Sequence, residues 1–258
     1  MTEIFGVQIA DISKPAVLDL IRQAVNKREI LHIVTANPEI LLQVRQDSKY
    51  GDMVRKADIV VADGIGIKYA ALISGYTFVN KRVTGVELTE EVIKLCDYLK
   101  LRLLVIGARN LSTIQKATHN VLNKISENIF AYSNQNISLS EENIDDINRV
   151  IIEIKPDIIL VSLGHYKQEL LINTLKAKKI PVVYIGVGGS FDYLSDNIAR
   201  PGWAFRSLGL EWVIRLWKQP RIRLRRVIRA VVVFPMVLLF DFIIQVFHVE
   251  QSGIDKTK

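Results

Sequence analysis

Apolar and polar positions follow two alternating patterns from Ile4 to about Ile185. Short apolar runs rich in β-branched residues end in small or polar residues, and segments with the apolar spacing of an amphipathic helix follow them. Strand–helix alternation at this spacing predicts an α/β fold, in which helices cover both faces of a mainly parallel sheet. The runs predict strands at Ile30–Val34, Ile59–Ala62, Arg102–Ile106, Asp157–Ser162 and Val182–Ile185.

Three of the intervening helices can be placed from the sequence. A helix from Pro38 to Gln46 begins with a proline, which suits the first turn. A helix from Val86 to Leu99 carries its apolar side chains largely on one side. A helix from Ser140 to Ile154 begins with a serine that can act as the N-cap, and two glutamates follow it in the first turn.

The pattern changes near Ser195, where a segment rich in Arg, Trp, Pro and Gly begins. The last long apolar run, Ala230–Val249, contains three polar residues, Asp241, Gln245 and His248. The sequence therefore predicts three parts: an α/β domain over residues 1–195, a basic, Arg- and Trp-rich helical appendage over 196–229, and an apolar helix with a polar C-terminus over 230–258.

Positive charge is concentrated in the tail. The chain has a formal charge of +7, and residues 206–258 hold ten Lys or Arg against four Asp or Glu. A solvated helix face or a nucleic-acid patch would also be basic, but a nucleic-acid site is normally spread over a folded surface. Arginines directly before an apolar run instead favour an anionic membrane surface, at about 1 kcal/mol per basic residue. We therefore expect a membrane partner and no nucleic acid.

The apolar run Ala230–Val249 would be about 30 Å long as a helix, at roughly 1.5 Å per residue, which just spans a bilayer. Pro235 would kink such a helix, and Asp241 near its centre would cost about 2.5–3.5 kcal/mol. The polar residues Asp241, Gln245 and His248 form one narrow stripe, which an interfacial helix or a helix packed on a partner subunit explains. We expect a membrane-associating, interfacial helix, and a homo-oligomer is left open.

Two further features bear on the compartment. The single cysteine, Cys96, cannot form an intrachain disulfide, which fits a reducing compartment. The first ten residues include Glu3 and lack the cationic start of a secretory signal. The sequence thus predicts that the α/β domain lies in the cytoplasm.

Polar residues and glycines are concentrated directly after the predicted strands, where open parallel sheets bind ligands. Each of these polar residues and glycines also has an ordinary structural explanation. Thr35 or Asn37 could cap a helix, and Asp63 could form an Asx turn. Lys167 could be a solvated charge, His165 an ordinary loop residue, and the glycines turn residues. The loops are Thr35–Glu39, Asp63–Gly66, Gly107–Arg109, Leu163–Glu169 and Gly186–Asp192.

Cofactor binding finds little support in these loops. The glycines lack the full spacing of a dinucleotide fingerprint. The four histidines are scattered, and no Asp-x-Asp pair marks a metal-dependent sugar–nucleotide site. We therefore expect neither a cofactor nor a metal ion.

Six short motifs occur in order along the chain: Thr35-Ala36-Asn37-Pro38-Glu39, Ala62-Asp63-Gly64-Ile65-Gly66, Arg82-Val83-Thr84-Gly85, Gly164 with Lys167-Gln168-Glu169, Gly186-Val187-Gly188-Gly189 with Phe191-Asp192, and Leu210-Glu211-Trp212 with Arg215 and Pro220. In this order they resemble the WecG/TagA/CpsF glycosyltransferases (glycosyltransferase family 26) over roughly residues 5–225. Two positions depart from the family pattern. Tyr166 stands where Pro is usual before Lys-Gln-Glu, and Arg200-Pro201-Gly202 stands where Arg-Ala-Pro is usual.

The resemblance implies a Rossmann-like fold and an inverting, metal-independent glycosyl transfer in bacterial cell-surface polysaccharide biosynthesis. The donor would be a UDP-sugar carrying N-acetylmannosamine, its uronic acid or a hexose. The acceptor would be a sugar linked to a polyprenyl diphosphate, at the cytoplasmic face of the bacterial cell membrane. Such a reaction needs a base for the acceptor hydroxyl, positive charge for the leaving diphosphate, and exclusion of water.

The resemblance also assigns residues to these tasks. Asp63 lies in the family's catalytic Ala-Asp-Gly motif and is the candidate base, and Thr35 matches the family's site threonine. The appendage would supply arginines for the diphosphate: Arg215 and Arg225 match in spacing, and Arg221 or Arg223 substitutes for a third that would fall on Ile222. The candidates for donor or acceptor binding are Asn37, Arg82, Lys167, Gln168, Gly188 and Gly189.

Two other functions compete with this one. A nucleotide-binding regulatory protein or scaffold on the same fold would be expected to have a degenerate loop at position 63, but the carboxylate is present. A nucleotide-cofactor oxidoreductase would be expected to carry a complete G-x-G-x-x-G with a ribose-binding acid, and the sequence has neither.

Overall fold

A six-stranded parallel sheet organises the part of the chain that the computed structural model describes, namely residues 2–64, 66–68, 81–133, 137, 139–197, 224, 225 and 227–254, with side chains up to residue 244. An antiparallel hairpin of β1 (Thr2–Ile4) and β2 (Val7–Ile9) precedes it. The sheet strands are β3 (Leu31–Ala36), β4 (Ile59–Ala62), β5 (Leu103–Gly107), β6 (Ile129–Tyr132), β7 (Ile158–Ser162) and β8 (Val183–Gly186). Their order across the sheet is β4-β3-β8-β7-β5-β6.

The five predicted strands are confirmed, each end lying within two residues of the expected position. The sequence pattern did not predict the hairpin β1–β2 or the edge strand β6. Strand β6 is only half-buried along its whole length, so its apolar run is short and weak. The mainly parallel α/β sheet is thus confirmed, with one strand more than expected.

The described helices connect these strands. They are α1 (Lys14–Lys27), α2 (Pro38–Gln46), α3 (Ser48–Arg55), α4 (Gly85–Leu99), α5 (Leu111–Leu122), α6 (Glu141–Ile154), α7 (His165–Lys176), α8 (Ser190–Leu194) and α9 (Phe234–Ile254), and a π-helical stretch, Arg229–Val233, leads into α9. The predicted α2 is confirmed at both ends. The other two predicted helices begin within one residue of α4 and α6.

Successive side chains along each strand point to opposite faces of the sheet, and helices cover both faces. On one face, Ile33 and Val105 pack with apolar side chains of α1, α4, α5 and α8. On the other face, Val34 packs with α2, α3 and α9, and Leu104 packs with α6 and α7. The predicted two-sided α/β packing is therefore confirmed.

The chain leaves two neighbouring strands in opposite directions. Strand β3 leads into α2 on one face, and β8 leads into α8 on the other. Because β3 and β8 are adjacent, their connections diverge and leave a crevice at the carboxyl edge of the sheet, the usual place for a ligand.

Helix α9 packs on the α/β domain. Phe234 and Leu238 are buried, and the Phe234 ring contacts Phe5 of the hairpin edge-to-face, with 6.2 Å between centroids. The predicted polar position Asp241 pairs with Arg45 of the same chain. No helix in the described ranges is long and apolar enough to cross a membrane.

The opposite face of this helical segment is apolar and open. Large apolar side chains there recur at helical spacing and are exposed: Leu224, Ile228, Val231, Val232, Met236, Leu239, Phe240, Ile243 and Ile244. A helix on the surface of a domain normally exposes its polar face to solvent. This segment shows its apolar face instead.

Candidate active site

A hydrogen bond joins the two strands that border the crevice. Thr35, the second last residue of β3, is buried, and its hydroxyl donates to the carbonyl of Gly186 at the end of β8, at 2.9 Å. The N-terminus of α4 closes on the same point: a Cβ on Gly85 would lie 3.4 Å from Thr35 Oγ1 and 3.3 Å from Ser190 Oγ. Three elements distant in sequence thus meet at Thr35.

Asp63 follows β4 at the same edge. Its N–H donates to the carbonyl of Ala36 at 2.6 Å, and the Val83 N–H donates to the carbonyl of Ala62 at 3.0 Å. The first bond fixes the Asp63 backbone beside the end of β3, and the second brings Arg82 to the end of β4. Gly64 turns the chain away with φ of +99°, a conformation that a side chain would strain.

Asn37 is the N-cap of α2, as one of the two interpretations of this residue held. Its Oδ1 accepts the Ile40 N–H at 3.1 Å. This bond uses the side-chain oxygen and leaves the two amide hydrogens of Nδ2 available to donate. The capping role and a binding role are therefore compatible.

Gln168 is buried and holds the loop after β8. Its Oε1 accepts the Gly188 N–H at 3.0 Å, and its Nε2 donates to Glu169 Oε1 at 3.2 Å. Ser162, at the end of β7, donates its hydroxyl to the Gly188 carbonyl. The backbone of Gly188 is thus bonded on both sides, which the sequence did not predict.

Four glycines at this edge border open space: a Cβ on Gly64, Gly164, Gly188 or Gly189 would meet no atom within 4 Å among the described residues. By contrast, a Cβ on Gly186 would lie 2.5 Å from Gln168 Nε2. The strand end is therefore tightly packed, whereas these four loop positions have room beside them among the described residues.

Tyr166, at the position where proline is usual in the resembling family, stacks on Tyr50 of α3, with 5.4 Å between ring centroids. The Tyr50 hydroxyl donates to the carbonyl of His165 at 3.4 Å. Burial, and then the nearby Glu169 carboxylate, raise the pKa of the Tyr50 phenol. An aromatic stack thus anchors the first turn of α7.

The remaining predicted residues are distributed as follows. Lys167 is exposed in the first turn of α7, beside Gln168, and Gly189 ends the loop before α8. Arg225 is exposed on the helical segment before α9. Arg215 and Arg221 lie outside the described residues.

Sequence reasoning missed three polar contacts, two at this edge and one nearer the amino end of β3. Arg109 after β5 pairs with Asp192 of α8, Nε to Oδ1 at 3.4 Å. Ser162 bonds to Gly188, as described above. His32, inside β3, pairs with Glu169, Nε2 to Oε2 at 3.0 Å. A histidine inside the continuous apolar run of β3 is the one signal that could have led to this last pair.

The described part of the chain brings together no group of three or more His, Cys, Asp or Glu side chains that could hold a metal ion. The carboxyl edge of the sheet carries a carboxylate, hydroxyl and amide groups, and the cationic residues Arg82, Arg109 and Lys167. These groups can orient a polar substrate and accept a proton.

Comparison with known proteins identifies what the chain is similar to. The model of the glycosyl transferase WecG/TagA/CpsF family matches residues 2–245. A protein of Staphylococcus aureus strain NCTC 8325, named N-acetylglucosaminyldiphosphoundecaprenol N-acetyl-beta-D-mannosaminyltransferase, is 31% identical over 192 residues, covering 73% of this chain and 74% of its own. The protein of the same name from strain MRSA252 is 32% identical over 193 residues, with the same coverage.

Proposed function

Because the chain belongs to the WecG/TagA/CpsF family of glycosyltransferases, we propose that it transfers a sugar from a UDP-sugar to a polyprenyl-diphosphate-linked sugar. N-acetylmannosamine, its uronic acid and a hexose are the donor sugars considered, and the relatives' printed name favours the first. That name also supports an undecaprenyl-diphosphate acceptor that ends in N-acetylglucosamine. The product would enter a bacterial cell-surface polysaccharide.

One observation carries the proposal: Asp63 and Thr35 lie at adjacent strand ends, within the residues 2–245 that the family model matches, and in two of the motifs that carry the resemblance. A carboxylate at this place can take the proton from the acceptor hydroxyl as that hydroxyl attacks the anomeric carbon. Attack from the face opposite the leaving diphosphate inverts the anomeric centre. The β-linkage in the relatives' name is the product expected from an α-linked nucleotide donor.

Thr35 has a restricted role in this mechanism. Its hydroxyl hydrogen is donated to the Gly186 carbonyl, so its oxygen is left to accept. Phosphate oxygens also accept and cannot be its partner in this geometry. We therefore assign Thr35 to a hydroxyl or amide N–H of the sugar rather than to the diphosphate.

Donors for the diphosphate come from other residues. The free Nδ2 hydrogens of Asn37 and the side chains of Arg82 and Lys167 can supply them at the crevice. Arg215, Arg221 and Arg225 of the appendage would add positive charge from outside the α/β domain. Positive charge placed this way stabilises the leaving group without a metal ion.

Gln168 and Gly188 contribute by position. The Gln168 carboxamide is bonded to Gly188 and Glu169, so we assign it to holding the loop, in addition to any contact with the sugar. The open space above Gly188 and Gly189 allows a nucleotide to approach the loop closely.

The exposed apolar face from Leu224 to Ile244 supports an interfacial position on the membrane. Large apolar side chains there would enter the acyl boundary, and Arg225 would lie near anionic headgroups. A lipid-linked acceptor is held at that surface. We propose the cytoplasmic face, where nucleotide sugars are made.

A screen of UDP-sugars with a short-chain lipid-diphosphate acceptor, read by product mass, tests the proposal. Transfer of one sugar, lost in Asp63→Asn, is the expected result. Binding of UDP without transfer to any acceptor would indicate a nucleotide-binding scaffold instead.

A further inference from the structure

We propose that the buried His32–Glu169 pair is a positioning element that sets the orientation of the Gln168 amide and, through it, of the loop Gly186–Gly189. The proposal rests on the proposed function, in which this loop receives the nucleotide donor. His32 is the second residue of β3 and Glu169 is the fifth residue of α7, 137 residues apart in the chain.

Both side chains of the pair are 0% exposed. A buried carboxylate is costly unless hydrogen bonds satisfy it, and apolar residues of similar size would pack at both positions without that cost. Nδ1 of His32 has no hydrogen-bond partner in the described part of the chain, so the ring's hydrogen bond there is the one to Glu169. A pair of this kind is better explained by a role in orienting neighbouring groups than by a gain in the stability of the fold.

The two carboxylate oxygens of Glu169 have different partners. Oε2 contacts His32 Nε2, and Oε1 accepts from Gln168 Nε2 at 3.2 Å. An ionised carboxylate can only accept, so the NH₂ end of the Gln168 amide must face it. The oxygen end must then face Gly188, whose N–H it accepts at 3.0 Å.

A flipped Gln168 amide would place its NH₂ group against the Gly188 N–H, donor against donor. The flipped amide would also set its oxygen against Glu169 Oε1, acceptor against acceptor, so Glu169 disfavours the flip as well. His32 holds Glu169 in place. The order of contacts is therefore His32, Glu169, Gln168 and the Gly188 backbone.

The strand end is in direct contact with this chain of bonds. A Cβ on Gly186 would lie 2.5 Å from Gln168 Nε2 and 2.6 Å from Glu169 Oε1. Because the Gly186 backbone packs on these two atoms, a change in their position moves the loop. Thr35 bonds to the same Gly186 carbonyl, so the effect reaches the sugar side of the crevice as well.

The decisive variant is the double substitution His32→Leu with Glu169→Leu in the full-length protein, which removes both polar partners and keeps apolar packing. His32→Gln is the conservative counterpart, because its Nε2 can still donate to Glu169. Tyr184→Phe is the matched control, since Tyr184 lies beside His32 in the β3–β8 register and takes no part in the chain of bonds. Circular dichroism and thermal unfolding check that each variant is folded.

The first measurement is hydrogen–deuterium exchange at the Gly188 amide, which does not depend on any activity. We expect exchange to rise on the order of tenfold in the double variant, the factor that one buried hydrogen bond typically contributes. His32→Gln and Tyr184→Phe should leave it unchanged. Unchanged exchange in a folded double variant would overturn the positioning role.

The second measurement is UDP binding by calorimetry, together with the KM for the donor. We expect the Kd for UDP and the KM for the donor each to rise about tenfold in the double variant, because one backbone contact is lost. The change in kcat should be smaller. Faster exchange with unchanged UDP affinity would overturn the link to the donor. If the wild-type protein binds no UDP, the proposed function fails, and the exchange data still decide the positioning role.

Should the double variant not fold, Glu169→Gln takes its place. An amide at 169 can donate or accept, so it no longer dictates how Gln168 points. We expect intermediate exchange at Gly188 in this variant, and wild-type exchange would overturn the proposal.

Discussion

Arg45 on α2 and Asp241 on α9 are joined by two contacts, Nε to Oδ2 at 3.1 Å and Nη2 to Oδ1 at 3.3 Å, across 196 residues of chain. The hydrogen bond to Asp241 is the main cause of a raised pKa of the Arg45 guanidinium. The pair turns the charged position of α9 toward the domain. It thereby directs Met236 and Phe240 outward.

Breaking this pair should cost little stability, because Arg45 is half exposed and surface ion pairs contribute about 0–1 kcal/mol. We expect Asp241→Asn to lower the free energy of unfolding by less than about 1 kcal/mol. The exchange of charges, Arg45→Asp with Asp241→Arg, should recover most of it. Urea unfolding of the single and double variants measures both effects, and a loss of several kcal/mol would show that the pair is a main anchor of α9.

Charged residues on the outer face of α9 should weaken membrane binding. Met236 and Phe240 are 65% and 62% exposed, and burying each in lipid would contribute about 1.5–3 kcal/mol. We expect Met236→Glu with Phe240→Glu to reduce sedimentation with anionic vesicles more than about tenfold. The control is Tyr98→Glu with Ile125→Glu, at two exposed apolar positions of the α/β domain. Equal binding of both double variants would refute an interfacial role for this face.

Replacing the candidate base should stop the chemistry and keep binding. We expect Asp63→Asn to lower kcat by about 10²–10⁴-fold, the usual effect of losing a general base, with little change in donor affinity. Asp19→Asn, the same substitution in an exposed ion pair with Arg22, is the control and should change neither kcat nor donor affinity. Initial rates and calorimetry measure the two quantities. A near-normal kcat in Asp63→Asn would assign the base to another residue.

Turnover should continue in excess EDTA. The reason is that cationic side chains are available for the diphosphate, which is the role that a metal ion would otherwise fill. The measurement is the initial rate with and without EDTA, on protein freed of metal by prior dialysis. Loss of turnover that Mg²⁺ or Mn²⁺ restores would show that a cation handles the diphosphate charge.

Alkaline pH should destabilise the fold. Burial raises the pKa of Tyr184 to about 12, and it raises the pKa of the Cys96 thiol and the Tyr50 phenol as well. In the unfolded chain these groups ionise near their ordinary values, about 8.5 for Cys and about 10 for Tyr. Above those values the unfolded chain binds fewer protons than the folded one, so stability that is complete below about pH 8.5 is lost as pH rises.

Urea unfolding between about pH 8 and 11 tests this expectation. The free energy of unfolding should fall by up to about 1.4 kcal/mol per pH unit for each group that ionises only when unfolded. Tyr184→Phe should reduce the slope above about pH 10, because it removes one such group. An unchanged slope in that variant would show that Tyr184 ionises alike in both states.

Local features of the fold could be predicted from the sequence, and long-range ones could not. Helix α2 was placed at both ends because Pro38 and the cap Asn37 lie next to each other in the chain. The order of strands depends on pairing between distant segments. Strand β8 inserts between β3 and β7, and it is more than a hundred residues from β3 in the chain. Apolar periodicity records burial but not the identity of the neighbour.

The candidate site shows the same division. Asp63, Thr35 and Gln168 could be proposed as site residues because each follows a strand or lies in a short motif. The pairing of His32 with Glu169 could not be found, because nothing near either residue specifies the other. The hairpin β1–β2 was missed for a local reason. Its turn places both Phe5 and Gly6 at positive φ, and a bulky residue such as Phe5 gives no sequence signal for that conformation.

Strand β8 is the last strand of the sheet to leave the ribosome, and it fills a gap in the middle of that sheet. Before residue 183 is synthesised, the nascent chain can form only two partial sheets, β4-β3 and β7-β5-β6, each with an unpaired inner edge. Such edges template aggregation, and parallel pairing over long separations is slow. A chain released too early would therefore lack the Thr35–Gly186 contact entirely and become a substrate for chaperones or proteases rather than a weakened enzyme.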